Sequence, residues 1–405
     1  MHVSRFQSDP CKYGITLYSH EFSVKTKNDT MQTMQWIVFS LLLTLGSLSA
    51  VAQTNRSLDE GMEIMTQKQL GNCVACHELP GIQGTASNFG PSLKGVGAKL
   101  TRETLTQWVK DGRVLRPNTL MPPFGNSDGL QKLTDKRALL TDLQIQKVVE
   151  TLMTWRSDPS QHLSGVASER PSVQAQSGNA FLSPAMLAMQ NDPMANPISL
   201  WLDKGQALWA SADPKASCAQ CHGPVEKNKA FANQFPKWSS PLKKLINLED
   251  QIVQCSEKTS KPYKNLEDPD VLALSALLHQ QSKNQTILLR PHATHKEEWQ
   301  KELNAGAELF MQRMGRMNLA CTHCHDQNIG KRMQADTISP GHPTGFPIFK
   351  MNWQSMGSID RRIRACYSGV QADIPPAGSR ELRQLELFLK MRAEGLSIEG
   401  PSLRR

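Results

Sequence analysis

The apolar positions of this chain fall into one long run and a series of short helical stretches. The run, WIVFSLLLTLGSLSAVAQ from Trp36, contains serines and ends in Ala50-Val51-Ala52 ahead of Gln53. A bilayer span needs about 20 apolar residues, so this shorter run with a small-residue ending predicts a signal peptide cut near Ala52; an uncleaved anchor is the alternative. Residues 1–52 then form a leader, with Met31 or Met34 as alternative starts. Farther on, three stretches place a glycine four residues ahead of a bulky side chain: GMEIM from Gly61, GQALW from Gly205 and GAELF from Gly306. Glycine and bulk recurring at matched offsets predict helices that cross a partner closely. The stretch DLQIQKVVETLMTW predicts a helix that closes the first of three such units. Between Pro159 and Ala180 the chain is polar and lacks aromatics until Phe181, which predicts a linker.

The second and third units share a longer repeat. FPKWSSPLKKLINLEDQIVQC, from Phe235 to Cys255, aligns without gaps with FPIFKMNWQSMGSIDRRIRAC, from Phe346 to Cys366. Together these patterns predict a mainly α fold with little strand, built as three modules at 57–158, 181–285 and 286–405, with 159–180 as the linker.

Composition alters this picture less than cysteine spacing does. The 405 residues carry a formal net charge of +9, which favours anionic partners. The basic residues are dispersed and no nucleic-acid motif accompanies them, so nucleic acid is not an expected partner. Of nine cysteines, Cys11 falls in the leader. Six of the other eight form CVACH (Cys73, Cys76, His77), CAQCH (Cys218, Cys221, His222) and CTHCH (Cys321, Cys324, His325). Two thiols one turn apart reach the two vinyl groups of a haem, and the following imidazole meets its iron. Three such motifs in an exported chain predict three covalently bound haem c groups, over disulfides or zinc knuckles. The glycine-bearing helix ahead of each motif looks like the first helix of the cytochrome c fold.

The distal iron ligands differ among the modules. In the first, Met121 lies in MPPFG ahead of the closing helix, the setting of a thioether ligand on a proline-rich loop, and Pro91 is placed to orient His77 through its carbonyl. The other two modules have no such loop, and the residue offered twice is the cysteine ending each repeat, Cys255 and Cys366. A Cys255–Cys366 disulfide is the alternative. Four residues before these cysteines stand Gln251 and Arg362. With Ser358 as N-cap and Gly369 at the end, a helix would put Arg362 and Cys366 on one face. A guanidinium lowers a thiol's pKa and grips an anion's oxygens, whereas a neutral amide does neither. Arg361 and Arg364 read as solvated helix charges.

These residues resemble the SoxXA family of c-type cytochromes. CVACH, GPSLKGVG and MPPFG resemble the SoxX part. NDPMANPISLWLDKGQALW, CAQCHG, FPKW, CTHCHD, FPIFKMNWQSMGSIDRRIRAC and PPAGSRELRQLELFL resemble the SoxA part, so the chain reads as a SoxX–SoxA fusion. The resemblance implies a periplasmic L-cysteine S-thiosulfotransferase that couples thiosulfate oxidatively to a cysteine of the SoxYZ carrier protein and passes two electrons to a small cytochrome c acceptor. It implies that the haem at Cys321 and Cys324 is the active one, held by His325 and by Cys366 carried as a persulfide, with Arg362 beside it. The haem at Cys218 and Cys221, held by His222 and Cys255, is implied to be remote, and electrons leave through the haem of the SoxX part. Lys350 departs from the pattern, since an arginine is expected there. No permanent membrane insertion is expected. Two rivals are a carrier-independent thiosulfate dehydrogenase forming tetrathionate and a non-catalytic electron-transfer protein.

Overall fold

In the first segment, α1 (residues 57–66), α2 (Val96–Lys99), α3 (Arg102–Asp111) and α4 (Asp142–Thr154) surround one apolar cluster. Helix α4 starts where Thr141 accepts from the Gln144 N–H and the Gln144 side chain returns to the Thr141 N–H, a reciprocal cap. Its apolar face, Ile145, Val148, Val149 and Leu152, packs with Ile64, Met65, Leu105 and Val109. The computed structural model describes residues 57–82, 87–157, 176–334 and 336–405. The expected leader with its cut near Ala52, Cys11, and residues 159–175 of the expected linker lie outside these described residues. Among the described residues no helix is long and apolar enough to cross a membrane.

The second segment runs α5 (Pro184–Asn191), α6 (Ile198–Trp209), α7 (Ala219–His222), β1 (Lys237–Ser239), β2 (Lys244–Ile246), α8 (Leu248–Ser256) and α9 (Pro269–Gln281). The third repeats most of this order as α10 (Lys296–Met311), α11 (Cys321–His325), the short hairpin β3 (Arg332–Met333) and β4 (Asp336–Thr337), β5 (Ile348–Lys350), β6 (Ser355–Gly357), α12 (Ile359–Gly369) and α13 (Arg380–Arg392). A final strand, β7 (Ser402–Arg404), pairs in parallel with β5 and makes that sheet three-stranded. The repeat seen in sequence is therefore a hairpin and a helix. Lys237 pairs with Ile246 in one copy and Ile348 with Gly357 in the other, and both hairpins open with a cis Phe–Pro bond. Asn247 caps α8 and Ser358 caps α12.

The predicted glycine crossings recur in all three segments. A Cβ on Gly61 would stand 2.5 Å from the Lys147 carbonyl oxygen, on Gly205 2.4 Å from that of Ala273, and on Gly306 2.1 Å from that of Gln384. No side chain fits there, so the backbones of α1 and α4, α6 and α9, and α10 and α13 approach directly. The bulky residues four positions on, Met65, Trp209 and Phe310, are buried in the three separate cores.

The two repeated segments join through backbone and charge. Asn284 N–H donates to Ile398 O at 2.9 Å, Ile398 N–H to Gln285 O at 2.9 Å, and Ile287 N–H to Leu396 O at 2.7 Å. Beside this junction Arg383, with a side chain only 2% exposed, reaches Asp250 and Asp360 at 2.5 Å each and Glu386 at 3.5 Å. Asn247 donates to Glu386 at 3.2 Å, and Ser275 donates to Glu249 at 2.6 Å. Removing one member of such a cluster leaves a buried charge uncompensated.

The first segment is held to the third by contacts rather than by the tether alone. Arg316 pairs with Asp135 at 2.7 Å and Lys132 with Glu381 at 2.8 Å. Asp373 N–H donates to Lys132 O at 2.8 Å, and Asn88 N–H to Arg332 O at 3.1 Å. Met317 of the third segment packs against the first core.

Three outcomes follow for stability. Gly306→Ala forces apart α10 and α13 at a backbone contact and should destabilise the folded protein by about 1–3 kcal/mol in urea titration. Gly369→Ala, where an added Cβ meets nothing within 4 Å, should be neutral or slightly stabilising. Burial, with Lys390 nearby, pushes the His279 imidazole from 6.5 down to about 3. A base depressed in the folded state contributes stability that is present above its unfolded pKa and lost as pH falls. Between pH 6.5 and about 3 stability should thus fall by up to about 1.4 kcal/mol per pH unit from this group. His279→Gln should flatten that slope in denaturation measured across the window.

Candidate functional site

Each CxxCH motif sits in a short helical turn: Cys73–Ala75, Ala219–His222 and Cys321–His325. In the first centre His77 Nδ1 donates to the Pro91 carbonyl at 2.6 Å, the partner the sequence suggested. This fixes the tautomer and leaves Nε2 free to ligate. Gly90 makes room for the ring, because a Cβ there would stand 2.6 Å from His77 Cε1. Met121 packs half-buried against the same core.

The third centre has the same construction. His325 Nδ1 donates to the Ser339 carbonyl at 2.7 Å, again fourteen residues on. Gly341, at φ +76, stands where a Cβ would lie 2.9 Å from His325 Nδ1. Sequence reasoning missed Ser339, although the equal spacing from His77 to Pro91 was a usable signal. Burial lowers the pKa of both imidazoles, so both rings are neutral and able to ligate. The second centre differs. Its His222 ring lies 5.9 Å from the Trp209 ring and 6.2 Å from the Phe231 ring and makes no hydrogen bond to a described residue. Cys221 and Cys255 are exposed.

The donor sets fit haem better than the alternatives. All eight described cysteines are free thiols, so the Cys255–Cys366 disulfide is not formed. Burial pushes the Cys321 and Cys324 thiols up to about 12. Among the described residues no three His, Cys, Asp or Glu side chains gather as a metal cluster. Cys366 lies within electrostatic reach of Cys321 and Cys324, and Cys255 within reach of Cys218.

The surroundings of the two singletons separate them. Arg362 Nη1 donates to Cys366 Sγ at 3.0 Å, so residue and sulfur share the α12 face. At the equivalent place Gln251 Nε2 donates to Cys255 Sγ at 3.3 Å, so the amide does engage its sulfur, without the charge. Arg361 and Arg364 are not plain solvated charges. Arg361 stacks 4.3 Å over Trp353 and donates to Ser355 at 2.9 Å, and Arg364 donates to the Pro375 carbonyl at 3.1 Å. Their sequence neighbours gave no sign of these partners, which β6 and the loop after α12 bring in. Lys350 is half-buried at the end of β5, where it donates to the Arg405 carbonyl, and burial lowers its pKa.

Comparison with known proteins finds cytochrome c relatives for both halves of the chain. The profile "SoxA/TsdA, cytochrome c domain" matches residues 204–287, and "Cytochrome C oxidase, cbb3-type, subunit III" matches residues 56–137. The chain is 32% identical to L-cysteine S-thiosulfotransferase subunit SoxA of Pseudaminobacter salicylatoxidans, over 58% of this chain and 82% of that one. Identity to the SoxA subunit of Rhodovulum sulfidophilum is 28%, over 57% and 80%. The crystal structure of SoxXA from P. pantotrophus superposes with a TM-score of 0.52 at 26% identity, covering 56% of this chain and 86% of that one. With c-type cytochrome domains in both halves and an arginine-bonded cysteine within electrostatic reach of a CxxCH turn, the chain belongs to the SoxA family of L-cysteine S-thiosulfotransferase subunits.

Proposed function

We propose that this protein is a periplasmic fusion of a SoxX-like module (57–158) with two SoxA-like modules (181–285 and 286–405), carrying three haems, and that it joins thiosulfate to a cysteine of the SoxYZ carrier protein. The observation that carries the reading is Arg362 Nη1 at 3.0 Å from Cys366 Sγ, opposite the third CxxCH. The haems are held covalently by Cys73 and Cys76, Cys218 and Cys221, and Cys321 and Cys324, with ligand pairs His77 and Met121, His222 and Cys255, and His325 and Cys366. When bound, they supply one-electron relays toward a small cytochrome c acceptor.

The chain's own groups account for the substrate. Arg362 offers fixed donors to the oxygens of a dianion that Gln251 could not neutralise, and the half-buried Lys350 adds positive charge from β5. In the net reaction an S–S bond forms between the terminal sulfur of thiosulfate and the carrier cysteine sulfur. The carrier's S–H bond breaks, its proton leaves to solvent, and two electrons pass to the acceptor. Cys366 and Arg362 are the residues placed to hold the reacting sulfur during this step. The matched profile is shared with thiosulfate dehydrogenases of the TsdA type, and dependence of turnover on the carrier distinguishes the two activities.

Intact mass of the denatured periplasmic protein should show three covalent haems; two or fewer would leave one CxxCH vacant. Arg362→Gln should lower thiosulfate turnover by about tenfold to a hundredfold, the scale of one hydrogen bond to a charged group, while all three haems remain attached. Cys366→Ala should abolish turnover, whereas Cys255→Ala should alter one haem spectrum and spare most activity. Equal damage from the two cysteine changes, with Arg362→Gln harmless, would place the reaction on the other centre.

A further inference from the structure

The turn that leads into Cys321 reaches across into the first segment, and nothing in the reaction above uses it. Arg313, just after α10, donates from Nη1 to the Thr119 carbonyl at 3.0 Å and from Nη2 to the Asn118 carbonyl at 3.2 Å. These are consecutive carbonyls two and three residues ahead of Met121. From within the loop, Thr119 Oγ1 accepts from the Met121 N–H at 3.1 Å. The turn itself is fastened to the same segment: Gly315 N–H donates to the Gln131 carbonyl at 2.9 Å and Arg316 pairs with Asp135 at 2.7 Å. Gly315 has φ +67, and a Cβ on it would stand 2.1 Å from the Val370 carbonyl oxygen, so the turn is backed directly by the third segment. Arg313 has no carboxylate partner among the described residues. Burial and the nearby Arg113 both disfavour its charge, yet a guanidinium stays protonated. The two loop carbonyls are what the cation holds.

We propose that Arg313 is a positioning residue for the first haem centre: from the third segment it clamps the loop that carries Met121, keeps that sulfur on the iron and leaves a cation that favours the reduced state. The inference rests on the reading of Met121 as distal ligand. A planar guanidinium spans two successive carbonyls at once, which an ammonium cannot do with comparable geometry. A positive charge retained next to a redox centre raises its potential. The potential of the electron-exit centre is then a property of the docked chain, and a first module separated from the third would be a poorer electron acceptor.

The test uses the full-length, haem-loaded protein and its Arg313→Met, Arg313→Lys and Met121→Ala variants. Three quantities are read: the methionine-to-ferric-iron charge-transfer band, the midpoint potential of the first haem, and the imidazole concentration that removes that band. Arg313→Met should weaken the band, lower the potential and let imidazole displace Met121 about tenfold more readily, as expected for losing roughly one net hydrogen bond. Arg313→Lys should keep most of the potential but recover the imidazole resistance only in part. If Met121→Ala removes the band while Arg313→Met matches the parent in all three readouts, the clamp is refuted and Met121 stands as ligand. If Met121→Ala leaves the band intact, the ligand reading fails and the clamp with it. Should Arg313→Met not accumulate, imidazole resistance of Arg313→Lys equal to the parent's overturns the clamp.

Discussion

At Gly306 the carbonyl oxygen of Gln384 occupies the space a Cβ would need, 2.1 Å away, and the same relation holds at Gly205 and Gly61. These three contacts set the distance between α1 and α4, α6 and α9, and α10 and α13. With the helices that close, Met65, Trp209 and Phe310 are pressed into the cores lying beside the CxxCH turns. A haem needs flat apolar walls and two ligands at fixed places. The crossing supplies the first requirement, and the Pro91 and Ser339 carbonyls, which hold two of the histidines, help with the second.

Duplication explains why two centres look alike, and divergence explains why they differ. Hairpin, N-cap and terminal cysteine recur in both copies, so the sulfur arrives at the same place by the same backbone. What changed is charge and support. The third centre has Arg362 against its sulfur and a carbonyl on its histidine, while the second has Gln251, an imidazole without a hydrogen bond among the described residues, and the exposed Cys221 and Cys255. The copies are fused through the buried Arg383 cluster, in which an arginine of one copy is neutralised by Asp250 of the other. A buried ion network of this kind constrains relative placement more than it stabilises, because each partner is costly alone.

Docking of the first segment completes the assembly. Its contacts fall on the third segment: Arg316 and Lys132 in ion pairs, Arg313 on the loop before Met121, Met317 in the first core. Cys76 comes within electrostatic reach of Cys324, so the first and third motifs are neighbours in space although the second intervenes in sequence.

Much of this was legible in the amino-acid order. Local spacing determined the CxxCH turns, the glycine helices, the Ser358 cap and the repeat ending in Cys255 and Cys366, because each depends on residues within a few turns of one another. The Pro91 carbonyl was named from the sequence and Ser339 was missed, although both stand fourteen residues beyond their histidines; that the loop returns its carbonyl to the ring is set by the fold. Arg361 and Arg364 read as solvated because their partners, Trp353 and the Pro375 carbonyl, come from other elements. Gln251 was read only as uncharged; helix geometry also places its side chain against Cys255. Which module the first segment docks on, and that Arg313 reaches the Met121 loop, belong to tertiary structure alone: a guanidinium and two backbone carbonyls nearly two hundred residues apart carry no mutual signal until the chain has folded.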